Sequence, residues 1–143
     1  MNKRDFLKSG ALAAALLPLS GLNSAAAAPS AARKPLLPLP LNPGDTVALV
    51  SPSKATDEAL DLQIAQEVMQ ALGFKVKTGK HFAARRGHLA GADADRAADL
   101  NAMFGDKEVK AIICLRGGSG AARLLPLLDY DLIRRNPKVL LGY

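Results

Sequence analysis

There is no tryptophan in this sequence, one cysteine, two histidines and an aromatic content of only 4%. Each shortage closes a class of function. A lone cysteine cannot form an intrachain disulfide, and Cys114 sits in the apolar run "AIICL", which reads as a structural thiol rather than a nucleophile. His81 and His88 stand apart, and no Cys/His set has zinc spacing. So few aromatic rings make no stacking platform for nucleic acid, and no basic run supports one. Acidic residues are outnumbered 13 to 19, for a net charge of +6. That mild excess fits attraction to an anionic polymer such as a cell wall, without specifying one.

The first residues have the organisation of an export signal. Lys3, Arg4 and Lys8 form a positive start, Gly10 to Leu22 is a mildly apolar stretch, and Ser24 to Ala28 is a run of small residues. Cleavage fits after Ala26, Ala27 or Ala28. The apolar stretch falls short of the roughly 20 residues that cross a bilayer. A cleaved signal over 1–28 is therefore expected, with an uncleaved anchor as the alternative, and the membrane is met only in transit. "KRDFLK" resembles the twin-arginine export motif with Lys3 in place of the first Arg. The expected destination is the periplasm or beyond. Removing 1–28 takes three basic residues and one acidic one, leaving a net charge of about +4.

Residues 29–41 hold Pro29, Pro35, Pro38 and Pro40 and read as an extended linker. A domain starts at 42. Pro43-Gly44-Asp45 makes a turn and Thr46 to Val50 a strand. A helix follows, with Thr56 as its cap, Asp57 and Glu58 at its positive end, and Leu60, Ile64, Val68 and Leu72 as a buried stripe ended by Gly73. Phe74 to Thr78 alternates as an edge strand does. Gly79 to Gly91 is a long loop, in which Arg85, Arg86 and His88 read as solvated residues ahead of a binding site. A second helix runs from Asp93, its cap, to Phe104, with Ala97, Leu100, Met103 and Phe104 facing the core. Val109 to Leu115 is a strand. A short helix near Ala121 is limited or kinked by Pro126, and another is capped by Asp129 and runs to Arg135. Val139 to Leu141 reads as a short, fully buried strand, and Gly142-Tyr143 opens a turn. This β-α-β-α-β-α-β order predicts a parallel-sheet α/β domain, Rossmann-like or flavodoxin-like, that stops after its fourth strand. Its functional edge is the carboxyl end of the strands.

The sharpest local signal is Arg116-Gly117-Gly118-Ser119-Gly120, between a strand and a helix. Glycines there let backbone N–H groups approach a ligand, and the helix start adds positive charge. A phosphate cradle and an oxyanion site both fit, as does an empty turn. The dinucleotide fingerprint fails because Arg123 stands where its last Gly belongs, and the Walker pattern is absent.

Two stretches carry a resemblance. "LNPGDTVALVSPS" and "HLAGADADRAADLNAMFGDKEVKAIICLRGGSGAARLLPLLDYDLIRRNPKVLLGY" resemble the LD-carboxypeptidases, serine peptidases of the S66 type that trim peptidoglycan peptides. The family's turn reads Arg-Gly-Gly-Tyr-Gly, with Ser119 replacing the Tyr here. The resemblance implies hydrolysis of the bond between an L-configured diamino acid and a terminal D-Ala of a murein tetrapeptide, with no metal or organic cofactor. It places the nucleophilic Ser immediately after Tyr143, at a strand-to-helix elbow, and the catalytic Glu and His in a C-terminal domain. No triad member then falls within these 143 residues, which predicts an inactive chain. A non-catalytic wall-peptide-binding module and a gene remnant are the rival readings. The resemblance makes Gly117 and Gly118 oxyanion donors. Arg116 orients the turn, meets a substrate carboxylate, or forms a salt bridge within the fold. Ser51 to Ser53 and Tyr143 line the cleft or simply form turns. Ser119 has no evident base and is not read as a substitute nucleophile. Relatives that cleave peptidyl- or aminoacyl-nucleotides share the fold, and the complete enzyme has room for a homodimer. A sheet ending at Leu141 should leave an edge and apolar surface uncovered.

Overall fold

A computed structural model describes residues 35–142. The expected export signal and Tyr143 lie outside the described residues. Residues 35–41 have no regular structure. Four strands follow: β1 (Thr46–Val50), β2 (Lys75–Thr78), β3 (Val109–Cys114) and β4 (Val139–Leu141). Between them run α1 (Ala59–Ala71), α2 (Asp93–Gly105), a 3-10 helix (Ser119–Leu127) and α3 (Tyr130–Arg135). All pairings are parallel, in the order β2-β1-β3-β4. The predicted parallel α/β class is thus observed.

Register explains why one edge gathers the loops. Leu49 pairs with Thr78 on one side and Ile113 on the other, and Ile113 pairs with Leu141. These four residues form one row across the sheet. The segments that leave it, Ser51–Ser53, Gly79–His81, Leu115–Gly120 and Gly142, therefore emerge together. From β1 the chain crosses first to β2 and then back over β1 to β3. The switch point lies between β1 and β3, where open parallel sheets open a crevice.

The core lies between the sheet and α2. Ala48, Val50, Val109 and Ile112 meet Ala97, Leu100, Phe104 and Leu124, with Met103 and Ile133 packed alongside. Central β1 is buried on both faces, as a parallel strand between helical layers requires. The core face predicted for α2 is therefore correct. Asp129 caps α3 as expected, its Oδ1 accepting from the Leu132 N–H at 2.8 Å.

Three expectations fail. The stripe of Leu60, Ile64, Val68 and Leu72 on α1 is exposed, not buried. Residues four apart advance 400° around a helix, so three steps drift by about 120° and cannot hold one face. The half-buried positions are Asp61, Leu62, Ala65, Gln66 and Met69, the last four spaced i, i+3, i+4, i+7. Second, neither Thr56 nor Asp93 acts as a cap: the residues preceding the helices are Glu58 and Ala92, without side-chain cap bonds. Asp57 instead meets Arg85 at 3.0 Å. Third, β4 is not fully buried: Leu140 and Leu141 are 54% and 59% exposed, on a strand at the edge of the sheet among the described residues. The bare edge anticipated from the sequence is present.

Two polar contacts fasten the sheet to α2. Gly79 sits directly over buried Asp99, which accepts from the His81 backbone N–H at 2.8 Å and meets His81 Nδ1 at 3.0 Å. At the other end Lys77 Nζ donates to Asp106 at 2.6 Å and pairs with Glu108 at 2.6 Å. A Cβ at position 79 would overlap the Asp99 carboxylate. Gly79→Ala should therefore lower unfolding stability by about 1–3 kcal/mol in urea titration, since overpacking of this kind displaces a fixed neighbour.

The second contact has a pH signature. Hydrogen bonding from Lys77 and from the Glu108 N–H holds the Asp106 carboxyl below its usual range, against the opposing effect of burial. A lowered folded-state value contributes stability above the unfolded value, and that stability is lost as pH falls through the folded one. The denaturation midpoint should thus fall with acid below about pH 4. Lys77→Met should flatten that fall.

Candidate functional site

The glycine turn leaves β3 at the switch point. Gly118 has φ of 125°, a backbone state that side chains rarely adopt, and a Cβ there would stand 3.0 Å from Ser53 Oγ. At Gly120 a Cβ would also crowd Ser53 Oγ and would fall on Leu89. The turn is therefore built against the β1 loop with no space between them. Gly117 is half-buried and Gly118 is exposed, so this stretch of backbone is open to a ligand.

Arg96 holds the two loops together. Its side chain enters from the first turn of α2 and is 2% exposed. Nη1 donates to the Pro52 carbonyl of the β1 loop and, at 3.1 Å, to the Gly120 carbonyl of the turn. Nη2 donates to Asp93, which also takes Arg123 Nε at 2.8 Å. Desolvation pushes the Asp93 carboxyl up, but the pairs with Arg123 and Arg96 outweigh it and hold it below its usual range. Arg96 Nε is buried and has no partner. Sequence reasoning missed Arg96, although it lies four residues before Leu100 and eight before Phe104, on the buried stripe.

The other sequence candidates separate cleanly. Arg116 pairs with Asp61 of α1 at 3.0 Å, which is the salt-bridge alternative. Ser51 Oγ donates to the Phe82 carbonyl at 2.8 Å, and Ser53 is 1% exposed, so both hold the loop and neither lines an open cleft. Ser119 is exposed and starts the 3-10 helix. His81 is engaged by Asp99 and Asp95, His88 is exposed, and neither hydrogen-bonds Ser119.

The stretch 79–91 is more ordered than a solvated loop. Arg86 and Leu89 exchange backbone hydrogen bonds around Gly87, and Ala55 and Ala90 tie the segment to the β1 loop. Arg85 is consumed by Asp57, while Arg86 and Arg123 line a cavity of about 470 Å³ with Leu89, Gly91, Ala92 and Asp93.

Cys114 is half-buried, and burial pushes its thiol up, away from the reactive thiolate. Its Sγ lies 3.4 Å from where a Gly142 Cβ would stand, so the exit of β4 rests on it. Among the described residues no group of three His, Cys, Asp or Glu side chains is arranged to hold a metal ion. No helix of those residues is long and apolar enough to cross a membrane.

A parallel α/β domain with a braced glycine turn at its switch point belongs to the broad class that binds a ligand at the carboxyl edge of the sheet. The chain belongs to the LD-carboxypeptidase family: the family's N-terminal domain matches residues 47–143. It is 43% identical over 106 residues to the Bacillus subtilis protein named "Probable murein peptide carboxypeptidase", covering 74% of this chain and 33% of that one. Over 99 residues it is 34% identical to the murein tetrapeptide carboxypeptidase of Pseudomonas aeruginosa, covering 68% and 32%. A solved structure of the microcin C7 self-immunity protein MccF in complex with aspartyl sulfamoyl adenosine superposes with a TM-score of 0.71 at 34% identity, covering 76% and 33%. The chain spans about a third of the length of the curated relatives it matches.

The Arg96 brace has a measurable worth. Removing Arg96 leaves the Pro52 and Gly120 carbonyls without their donor, at about 1–3 kcal/mol for a buried group left unsatisfied, while Asp93 keeps Arg123. Arg96→Met should lose stability of that order in guanidinium titration. Arg96→Lys should recover only part of it, since one ammonium cannot fork to Pro52, Gly120 and Asp93 together.

Proposed function

We propose that this chain is the N-terminal domain of an exported serine-type carboxypeptidase. Its reaction is hydrolysis of the bond between an L-configured diamino acid and the terminal D-Ala of murein tetrapeptides. The observation that carries the reading is the Gly117–Gly118 turn, held open at the switch point by Arg96 and Ser53. Backbone N–H groups fixed in this way stabilise the oxyanion of an attacked carbonyl without reorganising during the reaction.

In the proposed mechanism a serine following Tyr143, at the exit of β4, attacks the diamino-acid carbonyl of the amide bond to D-Ala. A histidine of a second domain takes the serine proton, and a glutamate orients it. The tetrahedral oxyanion meets the N–H groups of the glycine turn. Collapse expels D-Ala, which takes its proton from the histidine, and water then hydrolyses the acyl-enzyme. What these residues supply is the turn, its brace and the seat of Gly142 on Cys114. The 143 residues alone are proposed to be silent, because covalent catalysis needs the nucleophile and its base. A second reading, cleavage of aminoacyl-nucleotide-like compounds, draws support from the similarity to MccF, solved with aspartyl sulfamoyl adenosine.

The purified 143-residue chain should release no D-Ala from murein tetrapeptide. A longer polypeptide that carries this sequence together with the family's second domain should release it in proportion to enzyme. Release by the short chain would overturn the proposed division of labour. Release of amino acid from an aminoacyl sulfamoyl adenosine analogue, without D-Ala release, would select the second reading. Export is checked separately: the mature protein should begin after Ala26, Ala27 or Ala28 in periplasmic extracts.

A further inference from the structure

We propose that the cavity between Arg86 and Arg123 is an anion subsite that takes a carboxylate of the substrate peptide. Its ligand class rests on the wall-peptide reading above, while its geometry does not. The cavity, about 470 Å³, is lined by Arg86, Leu89, Gly91, Ala92, Asp93 and Arg123. It adjoins the glycine turn, because Leu89 packs against Gly120 and Arg123 lies one turn along the 3-10 helix that begins at Ser119.

Charge is unbalanced there. Arg86, Arg96 and Arg123 surround a single carboxylate, Asp93, which Arg96 and Arg123 already share. Arg86 makes no ion pair or side-chain hydrogen bond among the described residues, whereas neighbouring Arg85 is paired with Asp57. The 13-residue helix α2 begins at the same wall, and its N-cap, Ala92, supplies no side-chain acceptor. Its first N–H groups therefore still lack intrahelical partners. The free Arg86 fork, beside such a helix start and the nitrogen of Arg123 that Asp93 does not engage, fits a planar carboxylate, which accepts paired N–H bonds.

The backbone that carries Arg86 is held in place by reciprocal bonds with Leu89 at 2.8 and 3.2 Å around Gly87, whose φ is 63°. Leu89 in turn bridges to Lys54 of the β1 loop. The anion would thus be registered against the backbone that presents the glycine turn.

The test is calorimetric titration of the full 143-residue chain with two probes, murein tetrapeptide and glutarate. Arg86 is exposed and unpaired, so Arg86→Gln should leave the melting temperature unchanged while weakening both probes about tenfold or more, the size of one lost charge-assisted contact. Arg86→Glu should abolish binding, and Arg86→Lys should retain part of it. Arg123→Gln should act in the same direction. Glutarate binding that depends on Arg86, with no tetrapeptide binding, would keep the subsite and remove the wall peptide. Unchanged affinity for both probes in Arg86→Gln, or no binding of either probe by the wild-type chain, would overturn the proposal.

Discussion

The domain depends on one buried guanidinium. Arg96 is the point where helix α2, the loop after β1 and the turn after β3 meet. A charge in that position is costly to bury. Asp93 and two backbone carbonyls offset the cost, and what results is geometric. The two loops flanking the switch point cannot separate without stranding a cation. The apolar core fixes α2 against the sheet, and Arg96 extends that rigidity from the core to the loops.

Glycine completes what Arg96 begins. Gly118, Gly120 and Gly142 each sit where a methyl group would meet a neighbour at 3.0 to 3.2 Å or closer. The carboxyl edge is therefore assembled from backbone in direct contact, with small and buried side chains, Ser53 and Cys114, filling the intervals. An edge of this kind has few soft degrees of freedom. That suits a site whose working parts are backbone N–H groups, which must already point at the developing charge.

Much of this was legible in the sequence, and the failures are instructive. Strand positions, the core face of α2 and the Asp129 cap follow from local pattern, and the structure agrees. A four-residue recurrence does not mark one face of α1, whose inward apolar positions follow the i, i+3, i+4, i+7 spacing. Arg96 was passed over because arginine is ordinarily a surface residue. Its place on the stripe of Leu100 and Phe104 was the available sign. The partners of Arg116 and Ser51 could not be inferred, since Asp61 and Phe82 lie 55 and 31 residues away in the chain and only the fold brings them near.

The pairing of β1 has a consequence for how the chain acquires its shape. Val47 pairs with Ala111 and Val50 with Cys114, so the central strand waits for partners more than sixty residues downstream. Such non-local closure is slow, because loop entropy is lost before any contact compensates it. During synthesis β1 and β2 are made long before β3 and β4 exist. The sheet of the described residues accordingly cannot close until β3 has left the ribosome.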